Sequence, residues 1–285
     1  MDLVKIAPRG VELDGLVSVP ADSRGVLLHF HGLAGNFYEN TVVLALMDRL
    51  NRAGYGFVSG NLRGHDYIAD AVLNDSEWVS RGGAHTLYDE YVDDIGAWVS
   101  WAKESFALPI VVEGHSSGAV AVAGALLKED EPSWVATVLL SPADMRAEIR
   151  AGLTEERFDD LTAKASALAK AGVGDSLLPD DALDGYPIDA NCWLEMTDLD
   201  GPWSSFSWAS TGRAESALSA RPTLVVYGML EDGDVLDVRE VLGRWGAVHG
   251  VDTEVVGDAG HSYRGQEARL CDYIVEFLGR QLPAA

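Results

Sequence analysis

Positively charged residues and cysteines are scarce in this chain of 285 residues. It has 21 lysines and arginines against 45 aspartates and glutamates, and a formal net charge of −24. Nucleic acids and anionic membranes are bound through cationic side chains, so this charge balance argues against both as partners. The two cysteines, Cys192 and Cys271, are far apart and lack a C-x-x-C spacing. Neither a zinc site nor a disulfide framework is therefore predicted.

Long apolar runs are also missing. No segment approaches the roughly 20 apolar residues that span a bilayer. The N-terminal sequence MDLVKIAPRG lacks the basic and then apolar regions of a secretion signal, so we expect a cytoplasmic protein. The oligomeric state is not indicated. The hydrophobic content of 47% over 285 residues is enough for the core of one large α/β domain with an insertion.

The most informative stretch is IVVEGHSSGAVAVAGA, residues 110–125. An apolar run ends in Gly114-His115-Ser116-Ser117-Gly118 and continues into small residues typical of a helix. The G-x-S-x-G pattern between a strand and a helix is a nucleophile elbow, which exposes the serine hydroxyl on a sharp turn. We therefore predict that Ser116 is a nucleophile. The two glycines are expected because side chains would collide where strand and helix cross.

Around this elbow, apolar strand patterns alternate with helical ones. The segments Tyr38–Ala53 and Leu87–Phe106 have apolar residues at helical spacing, and the strand patterns lie between such helices. This alternation predicts an α/β fold with a mainly parallel, doubly wound sheet of eight strands. In such sheets ligands bind beyond the carboxyl ends of the strands, which is where Ser116 falls.

The alternation breaks between residues 143 and 220. We expect residues 1–142 and 221–285 to form the core domain, and residues 143–220 to form a cap inserted between two strands. The insertion is rich in aromatic residues, which are candidates for the wall of a substrate pocket. These candidate substrate-binding residues are Trp193, Trp203, Phe206 and Trp208.

A serine hydroxyl needs a general base, which a third group must orient. His261 follows the last predicted strand in a glycine-flanked loop, and we predict that it is the base. Asp232, in the loop after the strand ending at Gly228, is the favoured acid. The alternatives are Glu231 and Asp234 in the same loop and Asp144 one strand earlier.

The oxyanion of a tetrahedral intermediate needs preorganised N–H donors. We expect the backbone N–H groups of Ser117, directly after the nucleophile, and of Leu33, directly after His31-Gly32, to provide them. The pair His29-x-His31 could suggest a metal site, but a strand followed by an oxyanion turn is the preferred interpretation. No metal and no cofactor are predicted.

These motifs, in the order His31-Gly32, Gly114-His115-Ser116-Ser117-Gly118, Asp232 and His261, resemble the α/β-hydrolase superfamily of serine hydrolases. The string HGLAGNFYEN from His31 and the segment Tyr186-Pro187-Ile188-Asp189-Ala190 are similar to a branch of siderophore-esterase-like and other small-molecule esterases. The acid loop departs from the usual Gly-x-x-Asp spacing by one extra residue, which leaves Glu231 and Asp232 both open.

The resemblance implies a carboxylic ester hydrolase that forms an acyl-enzyme on Ser116 and acts on a small molecule, with a lactone or macrocyclic ester as one form of substrate. A thioesterase, an amidase or a transesterifying cyclase would use the same residues. The alternative from another class is a non-hydrolytic ligand-binding protein or lyase of the same fold, against which the intact serine, histidine and acid loop argue.

Overall fold

The structure is a computed structural model that describes residues 1–73, 77–128, 133–209, 213–219 and 221–282. The strands in these ranges are β1 (Asp2–Ile6), β2 (Leu13–Ser18), β3 (Val26–Phe30), β4 (Gly56–Gly60), β5 (Ala69–Leu73), β6 (Glu77–Arg81), β7 (Ile110–His115), β8 (Ala136–Leu140), β9 (Thr223–Gly228) and β10 (Val251–Val256). The α-helices are α1 (Thr41–Arg52), α2 (Tyr88–Phe106), α3 (Ser117–Lys128), α4 (Met145–Ala151), α5 (Glu155–Lys170), α6 (Ala190–Thr197), α7 (Ala214–Leu218), α8 (Val238–Gly246) and α9 (Glu267–Gln281).

Eight strands form one sheet in the order β1-β2-β4-β3-β7-β8-β9-β10. β2 pairs antiparallel with β1 and β4, and the other neighbours in the sheet are parallel. The central strands are buried on both faces, which explains their nearly continuous apolar sequences. The mainly parallel sheet of eight strands is therefore confirmed. The separate hairpin of β5 and β6 was not expected from the sequence.

Helices cover both faces of the sheet. The first core cluster contains the buried side of α2, nearly all of α3 and much of the segment 143–220. The second lies beneath α1 and α9, where residues such as Leu46 of α1 and Phe277 of α9 pack against alternate residues of the strands. α1 begins three residues later than expected, because the side chain of Asn40 accepts a hydrogen bond from the backbone N–H of Val42 and caps the helix there.

The segment 143–220 lies between β8 and β9 and contains α4 to α7. Trp193, Trp203 and Phe206 of this segment are at most 1% exposed and belong to the first core cluster. The insertion therefore shares a continuous hydrophobic core with the sheet. In the described ranges, no helix is both long and apolar enough to cross a membrane.

Candidate active site

Ser116 occupies the sharp turn between β7 and α3. Its backbone φ is 59°, a left-handed conformation that is costly for serine, and its N–H donates to the carbonyl of Leu140 at 2.8 Å. A Cβ on Gly114 would lie 2.5 Å from the carbonyl oxygen of Gly118, and one on Gly118 would lie 2.3 Å from that of His31. The two glycines of the motif are thus required by backbone contacts, and the serine is fixed at the tip of the turn.

The carboxylate next to the predicted base is Glu231. Its Oε2 lies 2.8 Å from Nδ1 of His261, and its Oε1 accepts hydrogen bonds from the N–H of Gly228 at 2.7 Å and from Oγ of Ser141 at 2.6 Å. The N–H of Gly228 and the hydroxyl of Ser141 therefore hold this carboxylate against the imidazole.

Asp232, the favoured acid, is wrongly placed for this role. It is exposed, and its side chain accepts a hydrogen bond from the N–H of Val238 at the start of α8. Glu231 is instead the third residue after Gly228, at the end of a single 3₁₀ turn that folds its side chain back onto the strand end. The usual spacing is kept, and a glutamate replaces the expected aspartate.

The other two alternatives lie away from His261. The carboxylate of Asp144 caps α4 by accepting from the N–H of Ala147 at 3.0 Å, and its second oxygen accepts from the N–H of Trp208 at 3.0 Å. Asp234 is exposed in the loop before α8. Among the candidates, only Glu231 contacts the imidazole within the described residues.

The environment of His261 favours its protonated form. Partial burial lowers the pKa of the ring, but the hydrogen bond to Glu231 and the negative charge of that carboxylate raise it by more, so the pKa lies above the ordinary value of 6.5. The His261 side chain remains 47% exposed, whereas the Glu231 side chain is 8% exposed. The ring is thus accessible while its orienting carboxylate is shielded from water.

Two further residues lie beside Glu231, and no sequence pattern selected them. Oγ of Ser141 is 2.7 Å from the hydroxyl of Tyr263, which donates to the carbonyl of Val226 at 2.9 Å. Ser141 and Tyr263 both have left-handed backbones, with φ of 44° and 54°. The position of Ser141 at the end of β8, next to the acid loop in space, is the signal that could have identified it.

His115, inside the G-x-S-x-G motif, contacts His261 through the main chain of His261 rather than through the Nδ1 that Glu231 binds. Its Nε2 lies 2.7 Å from the carbonyl oxygen of His261, and the two rings are 4.8 Å apart. A ring nitrogen must carry its hydrogen to bond a carbonyl, so Nε2 is the donor. His115 therefore anchors the main chain of His261 to the strand that leads to Ser116.

The backbone N–H groups of Leu33 and Ser117 were expected to bind the oxyanion. Neither has an acceptor among the described residues. The N–H of Leu62 donates to Nε2 of His31 at 3.0 Å, so the hydrogen of this ring is on Nδ1, which donates to the carbonyl of Gly32 at 2.8 Å. This bond fixes the peptide that joins Gly32 to Leu33.

His31 performs this task as a neutral ring. Burial lowers its pKa to about 3, against smaller opposing effects. Its neighbour Gly32 packs directly on Ser116, since a Cβ there would lie 2.8 Å from Cβ of Ser116. His29-x-His31 is not a metal pair, because both ring nitrogens of His31 are occupied by backbone groups.

A pocket of about 560 Å³ opens at these residues. Ser116, His261, Gly32 and Leu33 line it together, so the structure gathers the predicted nucleophile, base and oxyanion turn at one cavity. No hydrogen bond links Oγ of Ser116 to His261 in the part of the chain that is described. Such bonds are often long before substrate binds.

The four aromatic residues predicted as the pocket wall do not line this pocket. Trp203 packs edge-on against Tyr88 and Tyr91, Trp193 contacts Phe158, and Phe206 contacts Trp245. Nε1 of Trp208 donates to the carbonyl of Pro142 at 3.3 Å. This prediction is corrected: Trp193, Trp203 and Phe206 fill the core that joins the insertion to the sheet, and the half-buried Trp208 packs against it. Large apolar side chains gain most from full burial.

The insertion contributes smaller and more polar side chains to the pocket. Met145, Glu148 and Ile149 come from α4, and Leu183 and Tyr186 come from the loop before α6. The ring of Tyr186 is 4.8 Å from that of Tyr67, which lies in the loop after β4. These residues lacked a distinguishing sequence pattern, because a helix of seven residues and an irregular loop have little periodicity.

Comparison with solved structures gives many matches, including esterases. Est1E from Butyrivibrio proteoclasticus with bound ferulic acid has a TM-score of 0.69 at 20% identity, with 98% of each chain covered. The siderophore hydrolase EstB from Aspergillus fumigatus has a TM-score of 0.67 at 16% identity, covering 96% of this chain and 95% of that one. The Pyrococcus furiosus esterase Pf2001 has a TM-score of 0.62 at 19% identity, covering 99% and 91%.

At these identities the structural matches show the fold, and the predicted α/β-hydrolase fold is confirmed. Comparison with curated proteins gives no match. The family model described as serine aminopeptidase, S33, matches residues 21–172, more than half of the chain, and includes the elbow and the oxyanion turn. The chain therefore belongs to the S33 family of serine hydrolases.

Proposed function

We propose that this protein hydrolyses carboxylic esters of small molecules through an acyl-enzyme on Ser116. One observation carries the proposal: His261 is hydrogen-bonded to the shielded carboxylate of Glu231 and lines the same pocket as Ser116. A pure binding site has no need for a histidine oriented in this way. A serine nucleophile does, because its hydroxyl must lose a proton as it attacks.

In the proposed reaction, Oγ of Ser116 attacks the ester carbonyl carbon and its proton passes to Nε2 of His261. Glu231 keeps Nδ1 protonated and stabilises the positive charge on the ring. The carbonyl oxygen becomes an oxyanion, which accepts hydrogen bonds from the N–H groups of Leu33 and Ser117. Collapse of the intermediate breaks the C–O bond, and the alcohol leaves with the proton from His261.

Water then repeats the sequence on the acyl-enzyme. His261 takes a proton from water, the resulting hydroxide attacks the acyl carbon, and Ser116 leaves with that proton. The acid product and the free enzyme are formed, so atoms and charges balance without a cofactor.

The pocket supports a small substrate. Its volume of about 560 Å³ is within the range of pockets for single small molecules. One similar structure holds ferulic acid, a small molecule, and another is that of a siderophore hydrolase. We also propose that residues 143–220 act as a cap, since α4 and the loop before α6 supply one wall of the pocket.

The test is intact-protein mass spectrometry after incubation with a fluorophosphonate, followed by hydrolysis of p-nitrophenyl esters. We expect one label per wild-type chain, none on Ser116→Ala, and strongly slowed labelling of His261→Ala. A folded wild-type protein that neither takes the label nor hydrolyses any ester would overturn the proposal.

A further inference from the structure

The end of β8 contacts both the nucleophile and the acid of the proposed reaction. The carbonyl of Leu140, the last residue of β8, accepts a hydrogen bond from the N–H of Ser116 at 2.8 Å. The hydroxyl of the next residue, Ser141, donates to Oε1 of Glu231 at 2.6 Å. Two consecutive residues therefore connect the backbone of Ser116 to the carboxylate that binds His261.

The hydroxyl of Tyr263 reaches the same point from the loop that carries the base. It lies 2.7 Å from Oγ of Ser141 and 2.9 Å from the carbonyl oxygen of Val226 in β9. Burial raises the pKa of Tyr263 well above its ordinary value of 10.0, so the phenol keeps its hydrogen. Because Tyr263 is two residues after His261, the contacts form a closed circuit that runs through Ser141 and Glu231 back to the imidazole.

The number of hydrogens fixes the direction of these bonds. Oε1 of Glu231 already accepts the N–H of Gly228 at 2.7 Å, so the hydroxyl of Ser141 supplies the hydrogen for its own contact with that oxygen. A hydroxyl has one hydrogen. Oγ of Ser141 is therefore the acceptor toward Tyr263, whose hydrogen is shared between Ser141 and the carbonyl of Val226. The bonds run from Tyr263 through Ser141 to the acid.

A glutamate needs more support than an aspartate in this position. Its side chain has one more rotatable bond, and its last torsion is broad rather than confined to narrow wells. The N–H of Gly228 restrains Oε1 from the end of β9, the strand that leads into the turn bearing Glu231. Ser141 restrains the same oxygen from β8. A donor from a second strand limits rotation about the first bond, which keeps Oε2 directed at His261.

The backbone at both hydroxyl residues is energetically costly. Ser141 has a φ of 44° and Tyr263 a φ of 54°. This left-handed conformation is uncommon for residues other than glycine, asparagine and aspartate, and it is a marked exception for a bulky residue such as tyrosine. Conformations of this kind cluster at functional sites, where the surrounding structure maintains them. A role for the two buried hydroxyl groups beside Glu231 would account for both exceptions.

We propose that Ser141 and Tyr263 are positioning residues of the catalytic triad: the hydroxyl of Ser141, itself held by Tyr263, keeps the carboxylate of Glu231 in the orientation that binds Nδ1 of His261. The proposal rests on the proposed ester hydrolysis and adds two residues to its machinery. Both act through Glu231, since neither is among the residues that line the pocket.

The first test is the activity of variants that lack one hydroxyl. Ser141→Ala should lower kcat on p-nitrophenyl acetate by about 10- to 100-fold, the effect of one hydrogen bond to a charged group. Tyr263→Phe should lower it by about three- to tenfold, because its hydroxyl bonds a neutral group. Tyr273→Phe, which removes a hydroxyl on α9 away from the pocket, is the matched control and should stay within about twofold of wild type.

Rates are normalised to the fraction of chains that a fluorophosphonate labels on Ser116, so that unfolded protein is not counted. Full activity of Ser141→Ala, or an equal loss in Tyr273→Phe, would overturn the proposal.

Ser141→Gly separates the role of the hydroxyl from that of the strained backbone. It removes the hydroxyl and also relieves the left-handed conformation, which glycine adopts without steric cost. We therefore expect Ser141→Gly to be at least as stable as Ser141→Ala in urea unfolding, with the same loss of kcat. If Ser141 served only to shape the end of β8, glycine would support activity close to that of wild type, and this result would contradict a positioning role.

The pH profile gives a readout that a packing role would not move. The groups facing the imidazole of His261 are Glu231, Glu148 of α4 and the neutral ring of His115, 4.8 Å away. No hydrogen bond joins Glu148 or His115 to Ser141 in the described ranges, so a change at Ser141 reaches the ring through Glu231. A carboxylate that turns away raises the pKa of His261 less, and the acid limb of kcat/KM in Ser141→Ala should move to lower pH.

An acid limb that stays in place or moves to higher pH would overturn the proposal, because the hydroxyl would then not orient the carboxylate. A double variant checks the route of the effect. In Glu231→Gln, adding Ser141→Ala should change kcat by about twofold at most and leave the limb in place. A further large loss would show that Ser141 acts by another route.

An NMR titration tests the positioning role without catalysis. In Ser116→Ala, the imidazole resonance of His261 is assigned by its loss in Ser116→Ala/His261→Gln and followed as a function of pH. The pKa of His261 should be lower in Ser116→Ala/Ser141→Ala than in Ser116→Ala. If wild type takes no label and hydrolyses no ester, the proposed function fails while this titration still measures the effect of Ser141. Equal pKa values would refute the positioning role even in an active esterase.

Discussion

Oε1 of Glu231 is shared between the N–H of Gly228 and the hydroxyl of Ser141, while Oε2 is bonded to Nδ1 of His261. The carboxylate thus orients the imidazole from a fixed position. Glu231→Gln should lower kcat on p-nitrophenyl acetate by up to about 10⁴-fold, because an amide cannot stabilise the imidazolium and can favour the wrong tautomer.

Asp232→Asn is the matched control for that variant. It removes a charge one residue away but leaves the imidazole untouched, and we expect activity within about twofold of wild type, since the Asp232 side chain only bonds the start of α8. Steady-state kinetics of both variants decides between the two acids. The reverse pattern, with Asp232→Asn inactive and Glu231→Gln active, would identify Asp232 as the acid that orients His261.

The pH dependence of the reaction should report the same carboxylate. The base must be unprotonated, so kcat/KM should rise with pH through the pKa of His261, which Glu231 holds above its ordinary value. Removing the negative charge in Glu231→Gln disfavours the imidazolium, so the acid limb of the profile should move to lower pH. A profile of kcat/KM between pH 5 and 9 tests this. An acid limb unchanged from wild type would show that Glu231 does not set the pKa.

Gly32 should be essential for activity for a steric reason. A Cβ there would lie 2.8 Å from Cβ of Ser116 and 3.3 Å from its Oγ, so Gly32→Ala displaces the nucleophile or the oxyanion turn. We expect a loss in kcat of about 10²-fold or more. Gly260→Ala, next to the base, is the control, because a Cβ at Gly260 has open space around it. Equal activity of the two variants would contradict the close contact.

The buried rings of the insertion should affect stability rather than selectivity. Trp203→Ala removes a side chain packed on Tyr88 and Tyr91 and should lower the free energy of unfolding by about 3–5 kcal/mol. Tyr186→Leu, at a pocket residue that is 40% exposed, should instead change KM with little effect on stability. Urea unfolding and kinetics on esters of different acyl length measure both. A change in substrate selectivity in a stable Trp203→Ala protein would instead show that this ring contacts the substrate.

The sheet and the positions of Ser116 and His261 at the pocket were predictable because local rules fix them. Ser116 follows from a motif whose glycines are required by contacts under 3 Å, and His261 follows from the order of strands. The turn at Leu33 beside Ser116 was predictable for the same reason, since it needs only a peptide at the end of a strand. These features depend on backbone geometry, which the sequence pattern predicts.

The acid and the pocket wall depend on how side chains pack between distant segments. Glu231 and Asp232 are neighbours, and the 3₁₀ turn after Gly228 decides which of them faces His261. Applying the usual spacing and allowing glutamate would have selected Glu231. The aromatic residues of the insertion were misassigned because burial against a protein core and burial against a ligand favour the same side chains, and composition cannot separate them.

The shared core between sheet and insertion also limits how this enzyme can change. Trp193, Trp203 and Phe206 belong to the same hydrophobic cluster as the central strands. Exchanging residues 143–220 for the equivalent segment of another hydrolase would therefore disrupt the hydrophobic core of the main domain. New specificity is accessible instead through exposed pocket residues of the loop before α6, such as Asp184 and Tyr186, whose side chains lie outside that cluster. In directed evolution, these exposed positions can vary without opening the shared core.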